Sequence, residues 1–297
     1  MSPANVLVIG ATGAIGSALV DALLPDHHAR RLRLVAATRR PEQSARLAER
    51  GIEVRRLDLD EPETGGLATV RSVFAGIDLV FLLTGYDVRM LAQSVAAVDA
   101  ARAEGVSHIV HLGVLTDADD LDGHIVWHKL VEAYIERSGI GYTHLRPAFF
   151  MQSLPLGVTA PGVFTHFIGG AQLSWVDTGD IAEVAAAVLR DPASHAGRGY
   201  DLVAENASGT EIAGLLSEVT GRPWHYDPAD PQAFYELFVG MGADPAFVAT
   251  VRDYLQRRRD GSLVQPAGPF GDIAAVTGRP ATSVRQFLEK NRELFAG

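Results

Sequence analysis

Three glycines at three-residue spacing, Gly10, Gly13 and Gly16, follow the apolar run Val6-Leu7-Val8-Ile9. They open a segment in which Ile15, Leu19 and Leu23 recur every four residues. A buried strand, a glycine turn and a helix in that order make a site for a dinucleotide pyrophosphate. Gly10 permits the tight turn, Gly13 lets the backbone approach the phosphates, and Gly16 lets the helix pack closely on the strand. The N–H groups of the first helical turn are offered to the anion. Gly10, Thr12, Gly13, Ala14, Ile15 and Gly16 are therefore the expected phosphate-binding residues. The bland alternative, a glycine-rich turn that binds nothing, fits the strand–turn–helix context poorly. A second group of chemical residue types, His124, His128 and Glu132, lies four apart, the spacing of one helical face.

The elements that must position these residues follow in a regular order. A strand over Leu32–Thr38 ends in Thr38-Arg39-Arg40-Pro41, where a dinucleotide fold meets the adenosine ribose. An acid there would bind the 2′-hydroxyl of NAD; Arg39 and Arg40 suit the 2′-phosphate of NADPH instead. A solvated arginine pair before a proline is the alternative. A third strand, Ile52–Leu57, is followed by Asp58, which stands beside the adenine or caps a loop. A fourth, Leu79–Leu83, ends in Thr84-Gly85-Tyr86. Carboxyl ends of parallel strands line the ligand crevice, so the turn is expected to pass near the nicotinamide half, with Leu83, Thr84 and Gly85 as cofactor-binding residues and Tyr86 as a substrate-binding one. A helix over Leu91–Ala103, a strand Ile109–Leu112, a helix His124–Ser138 and a strand Tyr142–Leu145 continue the alternation. Strands and helices alternating with short links predict an α/β fold with a doubly wound parallel sheet.

After Pro147 the pattern changes. Phe149, Phe150, Met151, Phe164, Phe167 and Trp175 are spread through a stretch punctuated by glycine and proline. Such a stretch is a candidate substrate lid, with Phe149, Phe150 and Trp175 as binding residues, or equally core beneath a companion domain. Asp180 is expected to cap a helix running to Leu189, and Ser283–Leu294 is expected to form a terminal helix. The resulting division is a nucleotide-binding domain over residues 1–150 and a smaller mixed, largely helical part over 151–297, packed on the first.

Composition narrows the function. The net charge of −10 and the lack of any basic run argue against nucleic acid as a partner. The absence of cysteine excludes disulfides, thiolate catalysis and zinc–thiolate sites. No apolar stretch is long enough to span a membrane and no signal peptide precedes the first strand, so a cytoplasmic protein is expected. Asp117, Asp119, Asp120 and Asp122 make an acidic loop, expected to be solvated. A homodimer is left open.

Three segments carry a resemblance to a known family. Gly10-Ala11-Thr12-Gly13-Ala14-Ile15-Gly16 resembles the fingerprint of the NmrA-like group of atypical short-chain dehydrogenases. Leu145-Arg146-Pro147-Ala148-Phe149-Phe150-Met151 resembles that group's strand–Arg-Pro–aromatic segment. Thr277-Gly278-Arg279-Pro280, before Phe287-Leu288-Glu289-Lys290-Asn291, resembles its ending. The resemblance implies a Rossmann domain that binds NADP(H), with a small C-terminal part closing a cleft. The group includes quinone and enone reductases as well as redox-sensing regulators without turnover.

The broader superfamily places Ser or Thr after the fifth strand, and Tyr and Lys four apart on the next helix. Here the fifth strand ends His111-Leu112-Gly113-Val114, with Gly113 in the hydroxyl's place. Aligning the helix by its Ser138-Gly139 end puts His124 in the tyrosine's place, His128 in the lysine's and Glu132 in that of a common glutamate. The usual proton relay is thus missing. His128, with Glu132 to orient it, and His124 become the candidate catalytic residues, as general acids or as ligands of ribose hydroxyls. The alternative is that both are ordinary polar residues. No metal is expected. Hydride transfer to a quinone or enone does not require the relay, which favours an NADPH-dependent reductase of small apolar quinones, enones or carbonyl compounds. A non-enzymatic NADP(H) sensor acting through a protein partner is the rival reading.

Overall fold

The computed structural model describes residues 3–40, 44–60, 62–85, 87–116, 121–263 and 270–295. In chain order the elements begin β1 (Ala4–Ile9), α1 (Ala14–His28), β2 (Leu32–Thr38), α2 (Ala45–Glu49), β3 (Glu53–Arg56) and α3 (Pro62–Phe74). There follow β4 (Leu79–Leu82), α4 (Met90–Ala103), β5 (His108–Leu112), α5 (Gly123–Arg137), β6 (Gly141–Pro147) and β7 (Phe149–Phe150). After a 3-10 segment, Met151–Gly157, come β8 (Val158–Ala160), β9 (Val163–Phe164), β10 (Gln172–Val176), α6 (Thr178–Arg190), α7 (Pro192–His195), β11 (Arg198–Leu202) and β12 (Glu205–Ser208). The last are α8 (Gly209–Thr220), β13 (His225–Tyr226), α9 (Pro231–Gly240), α10 (Pro245–Arg259), α11 (Asp272–Thr277) and α12 (Val284–Lys290).

Two compact units share this chain. One is Met1–Val114, Trp127–Arg146 and Ile181–Tyr200; the other is Leu115–Val126, Pro147–Asp180 and Asp201–Gly297. The units therefore interleave, where the sequence places a single boundary after residue 150.

The first unit is built on a sheet of order β11-β6-β5-β4-β1-β2-β3. Every pair from β6 to β3 is parallel. This is the expected doubly wound sheet. Its order reverses between β1 and its two neighbours, so the carboxyl ends of β1 and β4 open a crevice. Continuous apolar runs form its centre, because these strands are covered on both faces: Val6, Leu7 and Val8 are wholly buried. Helix α1 runs to His28, past the proline at 25 that ends it in a propensity reading. Tertiary contacts hold the extra turn: His27 Nδ1 accepts from the Leu34 N–H at 3.1 Å, and its Nε2 donates to the Gly51 carbonyl at 3.2 Å.

The second unit has two small sheets, β12-β10-β7 and β13-β9-β8. Its core gathers Trp175, Phe164, Phe287, Leu288 and Phe295, all buried. Helix α8 starts with a Ser208–Glu211 capping box and ends at Gly221, where φ is +73°. Prolines 231 and 245 open α9 and α10 behind Asp230 and Asp244 caps.

Two expectations are corrected here. Asp180 lies inside the first turn of α6, and the capping bond comes from Asp177 Oδ1, 2.6 Å from the Gly179 N–H. The buried Asp180 carboxylate accepts instead from Arg279 Nη1 at 2.8 Å and from the Thr282 N–H at 2.6 Å. The terminal helix stops at Lys290, and a 3-10 turn, Arg292–Phe295, follows. Asn291 interrupts it by donating its side-chain amide to the Phe287 carbonyl at 2.8 Å.

Several histidines are folded in as neutral groups. Burial pushes His108 down to about 4, helped by His195, and pushes His166 down to about 4. Burial also holds His111 well below the ordinary histidine range and lowers His144.

Two outcomes follow from this packing. A Cβ added at Gly16 would sit 2.1 Å from the Gly10 carbonyl oxygen. Gly16→Ala should therefore cost about 1–3 kcal/mol, read as a lower urea midpoint, and displace the α1 N-terminus from the crevice. The buried histidines take up protons near pH 6.5 only when the chain unfolds. Their contribution is intact above about pH 6.5 and is lost progressively as the pH falls toward about 4. Urea midpoints measured across that window should fall, and His166→Gln should make the fall shallower.

Candidate functional site

The β1–α1 turn has the geometry its glycines predict. Gly10 adopts φ +72°. The Gly13 N–H donates to the Gly10 carbonyl at 2.9 Å, and the Ser17 N–H to the Gly13 carbonyl at 2.8 Å. Gly13 ends the turn as the N-cap of α1, which has no side-chain cap. The first-turn N–H groups, at Ala14, Ile15 and Gly16, have no acceptor within the helix. Ile15 is buried, so its backbone is what it can offer a ligand.

A cleft of about 570 Å³ opens over this turn, at the carboxyl ends of the strands. It brings together Gly10, Thr12, Gly13, Arg39, Arg40, Asp58, Leu83, Thr84 and Gly85, residues drawn from four separate stretches of sequence. Thr38 Oγ1 accepts from the Arg40 N–H at 3.3 Å, which shapes the end of β2. Asp58 Oδ1 accepts from the Asp60 N–H at 3.0 Å and turns the chain after β3. Gln93 also lines the cleft, and its place there was not legible in the sequence. Gln93 lies in α4, donates to Asp60 Oδ1 at 2.7 Å and accepts from the Gly85 N–H at 3.1 Å. It ties two rims of the cleft together, yet a glutamine inside an alanine-rich helix gives no signal. Tyr86 lies outside the described residues, as do Asp117, Asp119 and Asp120.

The cleft fits a dinucleotide on its own evidence. A Cβ at Gly13 would already lie 3.3 Å from the Gly10 carbonyl oxygen, on the face where the backbone is bare. The arginine pair stands at the end of the second strand, in the same cleft.

Helix α5 carries the histidines. The His128 ring lies 6.2 Å from that of His111, centroid to centroid, and is half-buried. Glu132 does not serve His128 in the way the spacing suggests. Arg146 on β6 grips it, with Nε 3.0 Å from Oε1 and Nη2 2.7 Å from Oε2. This pair explains the Arg-Pro motif in part: a buried carboxylate needs a bidentate partner. It also explains Gly113, since a Cβ there would lie 3.1 Å from Glu132 Oε1 and 3.4 Å from the His111 ring. A hydroxyl-bearing residue at 113 would crowd the carboxylate.

His111, Glu132 and His144 offer donor atoms within 4.8 Å of one another, all buried. The number of donors suits an ion, but Arg146 holds both carboxylate oxygens and sets a fixed positive charge beside them. That charge also disfavours protonation of His111 and His144.

In the second unit aromatic rings assemble around His124. Its ring centroid lies 5.7 Å from that of Tyr254 and 6.1 Å from that of Phe247, both edge-on. Phe149 lies 5.8 Å from Tyr254 and 6.2 Å from Trp175. Trp175 is fully buried and its Nε1 donates to the Ala207 carbonyl at 3.2 Å, so it backs Phe149 and presents no surface of its own. Phe150 alternates with Phe149 on β7, so its side chain turns to the other face, and it pairs in register with Val176. Tyr254 and Arg258 also belong here and were not singled out from sequence. Their signal, a Tyr and an Arg four apart, is common on any helix.

The family model of the NmrA-like family matches residues 3–254. An NAD(P)H azoreductase from Xenophilus azovorans is 29% identical over 98% of this chain and 99% of its own. Quinone oxidoreductase 2 of Escherichia coli (strain K12) is 26% identical, over 95% and 96% respectively. Among solved structures, the triphenylmethane reductase of Citrobacter sp. superposes with a TM-score of 0.82 at 25% identity, covering 97% of this chain and 99% of the other. With its glycine turn, parallel sheet and near full-length match, the chain belongs to the NmrA-like family.

Proposed function

We propose that the protein is an NADPH-dependent oxidoreductase whose acceptor is a small, largely apolar quinone, azo compound or enone. The observation that carries this reading is the single cleft joining the Gly10–Gly13 turn to Arg39, Arg40 and the Leu83–Gly85 rim. The α1 N-terminus and the bare face of Gly13 receive the pyrophosphate. Arg39 and Arg40 receive the 2′-phosphate through charge-assisted hydrogen bonds. His128 stands one turn beyond His124, where the wider superfamily has its lysine, and holds the nicotinamide ribose. When bound, NADPH supplies hydride.

The acceptor class rests on what the chain lacks and on its relatives. Gly113 stands where the hydroxyl that grips a simple ketone would be, with Glu132 and His111 directly over it. Quinones, azo compounds and activated alkenes are electrophilic enough without that grip. The similarity to an azoreductase and a quinone oxidoreductase supports the same class. Phe149 provides an apolar, aromatic wall for such molecules.

The test is NADPH consumption against a panel of quinones, azo dyes, enones and simple ketones. Turnover is expected with the first three and not with the ketones; turnover of ketones alone would overturn the acceptor class. Binding by calorimetry checks the cofactor. NADPH should bind more tightly than NADH, and Arg39→Ala with Arg40→Ala should weaken NADPH roughly 10- to 100-fold while leaving NADH nearly unchanged. Equal affinities in the unaltered protein would remove the 2′-phosphate assignment.

A further inference from the structure

Gln93 is bonded at both ends of its carboxamide, and each bond reaches a different loop of the cleft. The residue is 6% exposed and lines the cleft with Asp60 and Gly85. Its Oε1 accepts from the Gly85 N–H at 3.1 Å, and its Nε2 donates to Asp60 Oδ1 at 2.7 Å. The amide can stand only this way round, because the N–H needs its oxygen and the carboxylate needs its nitrogen. The two loops leave the sheet at well-separated places. Gly85 follows β4 and Asp60 follows β3, and in the strand order β1 and β2 lie between them. At about 4.8 Å per strand, β4 and β3 stand roughly 14 Å apart. Gln93 therefore joins loops from opposite sides of the carboxyl ends of β1 and β2.

The connection continues on both sides. Arg89, the residue before α4, sets Nη1 3.3 Å from Asp60 Oδ2 and Nη2 3.3 Å from Asp87 Oδ2. The Asp60 N–H donates to Asp58 Oδ1 at 3.0 Å, so whatever fixes Asp60 also fixes Asp58. Bonds thus link Gly85, Gln93, Asp60 and Asp58 in succession, and all four line the cleft that holds Arg39 and Arg40. Helix α4 presents Gln93 from an anchored position, since Met90, at its start, is buried in the apolar core of the first unit. A buried carboxamide satisfied at both ends acts as a fixed spacer, because breaking either bond strands a buried polar group.

We propose that Gln93 is the positioning residue for the adenosine end of the cleft. It sets the gap between the Asp58–Asp60 turn and the Leu83–Gly85 rim, into which the base fits. The inference rests on the dinucleotide reading above, and every residue it uses belongs to the first unit. Arg39 and Arg40 fix where the 2′-phosphate lies, and the base of the same nucleotide then falls between the two loops. Gln93 acts through Gly85 and Asp60. It holds the gap at its working width before the nucleotide arrives, so binding does not have to order the loops. Its loss should weaken any ligand that carries a 2′-phosphorylated adenosine and should speed that ligand's release, whatever chemistry the other half performs.

The probe is adenosine 2′,5′-bisphosphate, which carries the adenosine end alone and needs no hydride transfer. By calorimetry, Gln93→Glu should bind it about tenfold more weakly than the unaltered protein. A glutamate at that position still accepts from the Gly85 N–H but meets Asp60 as a like charge. Adding Asp60→Asn to Gln93→Glu should restore the affinity to within about threefold, because an amide again faces a carboxylate. A merely structural defect at position 93 would not be repaired from position 60. NADPH release, followed by the fluorescence of the reduced nicotinamide, should quicken in Gln93→Glu and slow again in the double variant. Should Gln93→Glu fail to fold, Gln93→Leu, which removes both bonds, carries the affinity and release measurements with the same expected loss. Affinities and release rates within about twofold in all variants, or no recovery on adding Asp60→Asn, overturn the assignment. If the unaltered protein binds neither the bisphosphate nor NADPH, the dinucleotide reading falls and the assignment with it. If it binds both and the variants bind alike, the dinucleotide reading stands and only the Gln93 assignment falls.

Discussion

One close approach sets the geometry of the nucleotide half. The Cα of Gly16 comes so near the Gly10 carbonyl that a methyl group would lie 2.1 Å from that oxygen. Helix α1 is thereby pressed onto the end of β1, and its N-terminus is aimed along the crevice. Gly10, at φ +72°, makes the reversal that allows this. The crevice exists at this place because the sheet order reverses around β1. Dipole, bare N–H groups and topology then coincide at one point, in the cleft that Arg39 and Arg40 also line.

The acid–base half follows a different constraint. The helix that would carry a Tyr–Lys pair carries His124 and His128, and the carboxylate one turn further on is committed to Arg146. Its side chain is only 9% exposed, so that bond holds α5 and β6 in register as much as it holds charge. Around it His111 and His144 are buried and neutral. This part of the first unit behaves as a polar core, and the desolvation that keeps its histidines neutral also makes them poor proton donors at neutral pH.

Arg258 gives two of its donors to the Tyr254 hydroxyl, whereas the buried acids Asp180 and Asp122 meet arginines, Arg279 at 2.8 Å and Arg257 at 3.0 Å. The Asp180 contact gives the Thr277-Gly278-Arg279-Pro280 segment a structural meaning, since Arg279 and Thr282 clamp the start of α6 from the C-terminal end of the chain. Sequence likeness in that segment follows from this clamp and requires no ligand.

By itself the sequence determined the α/β class, the succession of the central strands along the chain and the glycine turn after β1. These are local features: apolar runs, glycine spacing and helix periodicity are each contained within about twenty residues. Strand Leu32–Thr38 falls where its pattern places it, because a strand buried on both faces is written as an uninterrupted apolar run. Tertiary structure decided what depends on partners distant in the chain. Asp180 reads as a helix cap until Thr282, 102 residues away, donates to it. Glu132 reads as a partner for His128 until Arg146 on a neighbouring strand takes both oxygens. Gln93, Tyr254 and Arg258 read as ordinary helix residues, because what they do lies in a bond to Gly85, in a ring beside His124 and in a buried guanidinium bonded to a phenol. Periodicity shows which face of a helix is buried; only the packed structure shows what that face meets.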